Sequence, residues 1–103
     1  MSGANGAPRR FRVDAAPVIV NKVEQLHREA GETGRASEFA AAMRELRTRM
    51  QRRPRESGEP LRVYQKARLE LRVAALRPAI VWYVVHQVEY EVFVLEVGLM
   101  NPG

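Results

Sequence analysis

The stretch LELRVAALRPAIVWYVVHQVEYEVFVLEVG, residues 69–98, decides the fold. Leu69, Leu71 and Val73 alternate with Arg68, Glu70 and Arg72, and a period of two marks a strand with one polar face. Arg77-Pro78 marks a turn. Residues 80–85 (IVWYVV) are apolar throughout, β-branched and aromatic, which predicts a central strand buried on both faces. Residues 86–89 form a hairpin-sized link. Residues 90–97 (YEVFVLEV) read as a further strand that Gly98 ends. Consecutive strands with short links pair antiparallel. The stretch therefore predicts a three-stranded antiparallel meander.

Upstream the period changes. Phe39, Met43, Leu46 and Met50 fall at i, i+4, i+7 and i+11, the cleanest helical stripe in the chain. Ser37 suits its N-cap, Glu38 its first turn, and Pro54 ends it. Residues 54–60 (PRESGEP) read as a loop, and Leu61, Val63 and Tyr64 as an irregular lead into the meander. An earlier helix opens at Pro17 and runs through Val20, Val23, Leu26 or His27, and Ala30 to Gly31 and Gly34. His27 there reads as a core-edge residue, not as a ligand. Phe11 and Val13 alternate with Arg10, Arg12 and Asp14, giving a short first strand. Residues 1–8 (MSGANGAP) are small and polar and read as a flexible N-terminal tail ahead of a single domain over 9–103. The class is α+β in two layers: strand, helix, helix, then the three-stranded antiparallel meander.

Composition narrows the function classes. The chain has 103 residues, 46% of them hydrophobic, enough for one domain with a core. It has no Cys, so thiolate chemistry, zinc fingers and disulfides are excluded. Its longest apolar run is residues 79–85, against about 20 residues for a membrane span. No apolar segment follows the first charges as in a secretory signal, so a cytoplasmic location is expected. There is no phosphate-binding Gly loop, since GETG (31–34) lacks a following Lys-Ser/Thr. The acidic residues and the two His lack metal-ligand spacing, and Ser2, Ser37 and Ser57 lie outside any nucleophile elbow. No cofactor and no metal are expected.

The formal net charge is +5, with Arg supplying 15 of 17 basic residues. Residues 1–77 hold 17 basic and 9 acidic groups, a net +8, and residues 78–103 hold only Glu89, Glu91 and Glu96, a net −3. Arg44, Arg47, Arg49, Arg52, Arg53 and Arg55 crowd the second helix and its C-terminal end. Cations there complement the helix dipole, and they also make a surface for an acidic partner or a nucleic acid. A metal-free ribonuclease needs cations converging on a pentavalent phosphate. Arg68 and Arg72, four apart on a strand, share a face with Glu70 between them. The same pattern fits a solvated ladder, the commoner case.

These features together resemble the RelE/ParE superfamily of small toxins from bacterial toxin–antitoxin modules, over residues 9–99. GEPL (58–61) looks like the family's Gly-x-Pro-Leu. LELRVAALRPAIVWYV (69–84) looks like its paired strands, and YEVFVLEVG (90–98) like its last strand running into Gly. The resemblance implies a plasmid-stabilisation-type toxin held inactive by a cognate antitoxin. RelE-like members cut mRNA on the ribosome; ParE-like members block DNA gyrase and cut nothing. Arg72 falls at a basic position of the family's meander, Arg77 stands near the Arg before its third strand, and Trp82 or Tyr83 takes the place of its strand aromatic. RNA-cleaving members follow the final Gly with a basic residue and then a Tyr; here Leu99, Met100, Asn101, Pro102 and Gly103 follow Gly98. The expectation is a ParE-like or inactive toxin. The other options are a divergent metal-free endoribonuclease using Arg68, Arg72 and Arg77, and a basic RNA-binding or DNA-binding module using the 44–55 arginines. Expected partners are the antitoxin, then ribosome and mRNA or gyrase, with a homodimer as a further option and no membrane.

Overall fold

The computed structural model describes residues 9–101, so the flexible tail expected over 1–8 lies outside the described residues. Strand β1 (Arg12–Ala15) leads into helices α1 (Pro17–Glu32) and α2 (Ala36–Arg52). Strands β2 (Glu59–Tyr64), β3 (Leu69–Leu76), β4 (Ala79–His86) and β5 (Glu91–Leu99) follow. The chain is α+β, with both helices on one face of a five-stranded mixed sheet of order β1-β5-β4-β3-β2. The meander is antiparallel, and β1 adds parallel to β5 at the far edge.

The irregular lead expected at 61–64 is a fourth meander strand. β2 pairs with β3 from Glu59 to Tyr64, with a register shift between Pro60 and Arg62, and all six residues are exposed. Its missing apolar alternation is that of an edge strand, which is why periodicity did not reveal it.

Helix α1 has Pro in its first turn, and Gly34 at φ 74° turns the chain toward α2. Its inward stripe is Ile19, Val23, Leu26 and Ala30. Val20, expected in that stripe, is 49% exposed, and His27 is exposed as well. Helix α2 buries Phe39, Ala42, Leu46 and Met50 with Met43 beside them, so the expected stripe is the core stripe. Ser37 is not its N-cap: Arg35 holds that position without a side-chain cap.

The sheet departs from expectation in which of its faces are covered. On β4, Ala79, Val81, Tyr83 and Val85 face the helices and are buried, while Ile80, Trp82, Val84 and His86 lie half-buried on the other face. The strand read as buried on both faces is covered on one, because both helices lie on the same side. On β3 the polar side turns inward. Arg72 stands opposite Tyr83 and Ala74 opposite Val81, so Glu70, Arg72 and Ala74 face the helix layer and Leu69, Leu71 and Val73 face away.

The charge split along the sequence closes up in space. Arg12 pairs with Asp14 and Glu91, and the Lys22 Nζ reaches Glu96 at 2.7 Å. The acidic end of the chain thus lies against the basic start.

Candidate functional site

Helix α2 ends at Arg52, and the chain turns sharply through residues 53–58 before entering β2. The Arg53 N–H donates to the Arg49 carbonyl at 2.7 Å, and the Glu56 N–H to the Arg53 carbonyl at 3.1 Å. The Ser57 hydroxyl donates to the same Arg53 carbonyl at 2.9 Å. Gly58 sits at φ 69°, where a Cβ would run into the Val73 carbonyl oxygen. Only glycine lets the backbone approach β3 this closely.

Two side chains from the sheet pin this turn from below. Arg72 donates through Nε to the Ser57 carbonyl and through Nη2 to the Gly58 carbonyl, each at 3.1 Å. Its Nη1 meets Glu70 at 3.0 Å. Tyr83 directs its hydroxyl at the Pro54 carbonyl at 2.8 Å and the Ser57 carbonyl at 2.6 Å. Arg72 is 6% exposed and Tyr83 0%. The Arg–Glu–Arg pattern is therefore not a solvated ladder. Burial pushes the Tyr83 phenol above its ordinary value of 10.0, against the Arg72 guanidinium, which pulls it down.

Above the pinned turn lies an open groove of about 820 Å³, bounded by Arg10, by Glu45, Thr48, Arg49 and Arg52 of α2, and by the turn from Arg53 to Gly58. The Arg49 Nε meets Glu45 at 3.0 Å, and the Arg53 Nη1 approaches Glu56 at 3.7 Å. Arg10 and Arg52 have no carboxylate within 4.0 Å among the described residues. The groove thus presents four guanidinium groups against two carboxylates. Its net positive charge, with backbone at its floor, suits an anionic ligand or an acidic chain segment.

The arginine cluster expected over 44–55 divides. Arg49, Arg52 and Arg53 line the groove. Arg55 turns to Glu70 at 3.7 Å beside a smaller depression, and Arg44 and Arg47 stand exposed elsewhere on α2. Arg10 joins the site unforeseen. Its place beside the first strand gave a strand reading, and nothing in the local sequence ties it to α2. The tie is the Phe11 N–H, which donates to the Gln51 carbonyl at 2.8 Å.

The three candidate catalytic arginines do not come together. Arg68 lies outside β3, in the preceding turn at φ 55°. Arg77 lies in the turn after β3, exposed, before a cis Arg77-Pro78 bond. Strand β3 separates them, and its eight residues span about 26 Å at about 3.3 Å per residue. Arg72 lies between them, enclosed under the turn. Among the described residues no three His, Asp or Glu side chains group to hold a metal ion, and no helix is long and apolar enough to cross a membrane. No protein family and no curated protein matches the chain.

Proposed function

We propose that the protein is the toxin-like component of a bacterial toxin–antitoxin module, that it acts by binding and not by cutting RNA, and that an acidic antitoxin segment neutralises it at the arginine groove. The observation that carries this reading is the placement of Arg72. Its Nε, Nη1 and Nη2 all donate within the protein, so it has no free fork for a phosphate. Stabilising a pentavalent phosphate takes converging donors in one site, and Arg68 and Arg77 stand at opposite ends of a strand. The groove, in contrast, gathers Arg10, Arg49, Arg52 and Arg53. The toxin part of the reading rests on the resemblance of residues 9–99; the binding part rests on the groove.

The test is expression in bacterial cells without any antitoxin, with growth, DNA supercoiling and transcript integrity followed together. Growth arrest with altered supercoiling and intact mRNA is the expected result. Normal growth without a gyrase or translation phenotype would remove the toxin reading.

A basic nucleic-acid-binding module is the second reading, favoured by the same unpaired Arg10 and Arg52. It requires an affinity for duplex DNA or RNA that falls steeply with salt as phosphates release counterions. A flat salt response would exclude it.

A further inference from the structure

One wall of the groove is the turn over residues 53–58, which has no helix or strand of its own to fix it. Arg53, Glu56, Ser57 and Gly58 line the groove. The two residues between Arg53 and Glu56 leave it. Pro54 is fully buried, and Arg55 crosses to Glu70 beside the smaller depression. Arg53 and Arg55 are the same residue type, one position removed from each other by Pro54. Only the path of the backbone sends the first into the groove and the second away from it.

That path is held from the sheet. Arg72 and Tyr83 stand opposite each other on β3 and β4, two neighbouring interior strands. The Tyr83 hydroxyl has one proton and two carbonyls in reach, Pro54 at 2.8 Å and Ser57 at 2.6 Å. Arg72 Nε already donates to Ser57, so the Tyr83 proton goes to Pro54, and Arg72 Nη2 takes Gly58. Two side chains thus hold three carbonyls, near the start and at the end of the turn. The Arg53 carbonyl is taken from within, by the Glu56 N–H and the Ser57 hydroxyl. Tyr83 is fully buried and Arg72 nearly so, and neither lines the groove. A buried ion pair adds little net stability over well-packed apolar side chains. What Arg72 and Tyr83 supply that apolar residues would not is a fixed backbone in the turn.

We propose that Tyr83 and Arg72 are positioning residues for anion binding: without touching the ligand, they hold the turn so that Arg53 faces the groove together with Arg49 and Arg52. The inference rests on the reading of the groove as the site for an acidic segment, and adds the buried residues that shape it. A ligand held between a helix and a pinned turn meets arginines that are already placed, so less of the interaction is lost to ordering the site.

Tyr83→Phe tests this, because it alters neither the charge nor any surface a ligand touches. Binding of labelled poly-glutamate to the full chain is followed by fluorescence anisotropy over a range of salt. Tyr83→Phe should weaken binding by about five- to tenfold, the scale of one lost hydrogen bond, and leave the steepness of the salt dependence as it was. Arg53→Gln removes a cation that the polymer meets, and should weaken binding and flatten the salt dependence too. Val97→Ala opens a core cavity on β5, which supplies no pin, and should lower stability while changing neither. A second reading needs no ligand. Amide hydrogen exchange at Glu56, whose N–H closes the turn, should quicken in Tyr83→Phe and not in Val97→Ala. Arg72→Lys keeps the charge and loses the planar fork, so it should follow Tyr83→Phe, and it carries the test if Y83F does not fold. No binding by the natural chain overturns the groove reading and this inference with it. Binding that both Tyr83→Phe and Arg72→Lys leave within about twofold overturns this inference alone. So does a loss that Val97→Ala reproduces, or one that comes with a flatter salt dependence.

Discussion

Arg72 is the residue on which the reading of function turns. Its guanidinium replaces the solvent that the Ser57 and Gly58 carbonyls would otherwise need, and it neutralises Glu70, whose side chain is 16% exposed. Arg72→Met would take the side-chain donor from the Gly58 carbonyl and leave Glu70 with only Arg55, at 3.7 Å. Breaking a buried pair from one side costs about 3–5 kcal/mol, and chemical denaturation should show a loss of that size. Arg72→Lys should recover little of it, because an ammonium cannot reproduce the planar fork. Tyr83→Phe removes the second pin and should cost about 1–3 kcal/mol, the range for leaving a buried acceptor, here the Pro54 carbonyl, unpaired. The Tyr83 phenol has a raised pKa, so its neutral form is favoured by folding. The stability this contributes is complete below pH 10, the unfolded value, and is lost as pH rises through the folded one. Tyrosinate absorbance from Tyr83 should therefore appear only above the ordinary range, with alkaline unfolding.

At the scale of elements, α1 is tied to the bulged part of β5 by Lys22 and Glu96, where the register shifts between Trp82 and Tyr83. The Lys22 ammonium, helped by the Val97 N–H, holds the Glu96 carboxyl below its ordinary 4.5. A lowered folded pKa stabilises above the unfolded value and is lost as pH falls through the folded one. Glu96→Gln should flatten the acid side of the stability profile below pH 4.5 by a small, measurable amount in urea midpoints. The groove arginines belong to this scale too. Arg52→Glu with Arg53→Glu should lower affinity for poly-glutamate about tenfold or more at low salt, equivalent to ~1.4 kcal/mol. Fluorescence anisotropy of a labelled polymer reads it. The elements that periodicity can see were legible in the sequence: the α2 stripe from Phe39 to Met50, the turn at Arg77-Pro78, and the strands on either side of it. What it could not show is which side of a strand faces the helices. Leu69, Leu71 and Val73 look like a core face, and a local pattern holds no record of the Ser57 and Gly58 carbonyls waiting to receive Arg72. The same limit hid Arg10, whose neighbours in the groove lie about forty residues along the chain.

Across the whole molecule, the two faces of the sheet are covered differently. One carries the core: Val81, Tyr83, Val85, Val92, Val94 and Val97 pack against the helices. The other, which carries Trp82, is not covered by the helices and leaves Ile80, Trp82 and Val84 half-buried and Phe93 exposed. The charge that looked segregated in the sequence, +8 before residue 78 and −3 after it, is joined at two points by folding, as Arg12 takes Glu91 and Lys22 takes Glu96. The end of α2 gathers Arg49, Arg52 and Arg53 with Arg10 in one groove, apart from Arg68 and Arg77 at the two ends of β3. That placement is the basis of the proposal that the protein binds without cleaving RNA. The proposal is tested most directly by mapping transcript ends in cells whose growth has stopped on expression of the protein without any antitoxin. Full-length transcripts are predicted. Cleavage at defined positions, lost in Arg68→Ala or Arg77→Ala, would contradict it.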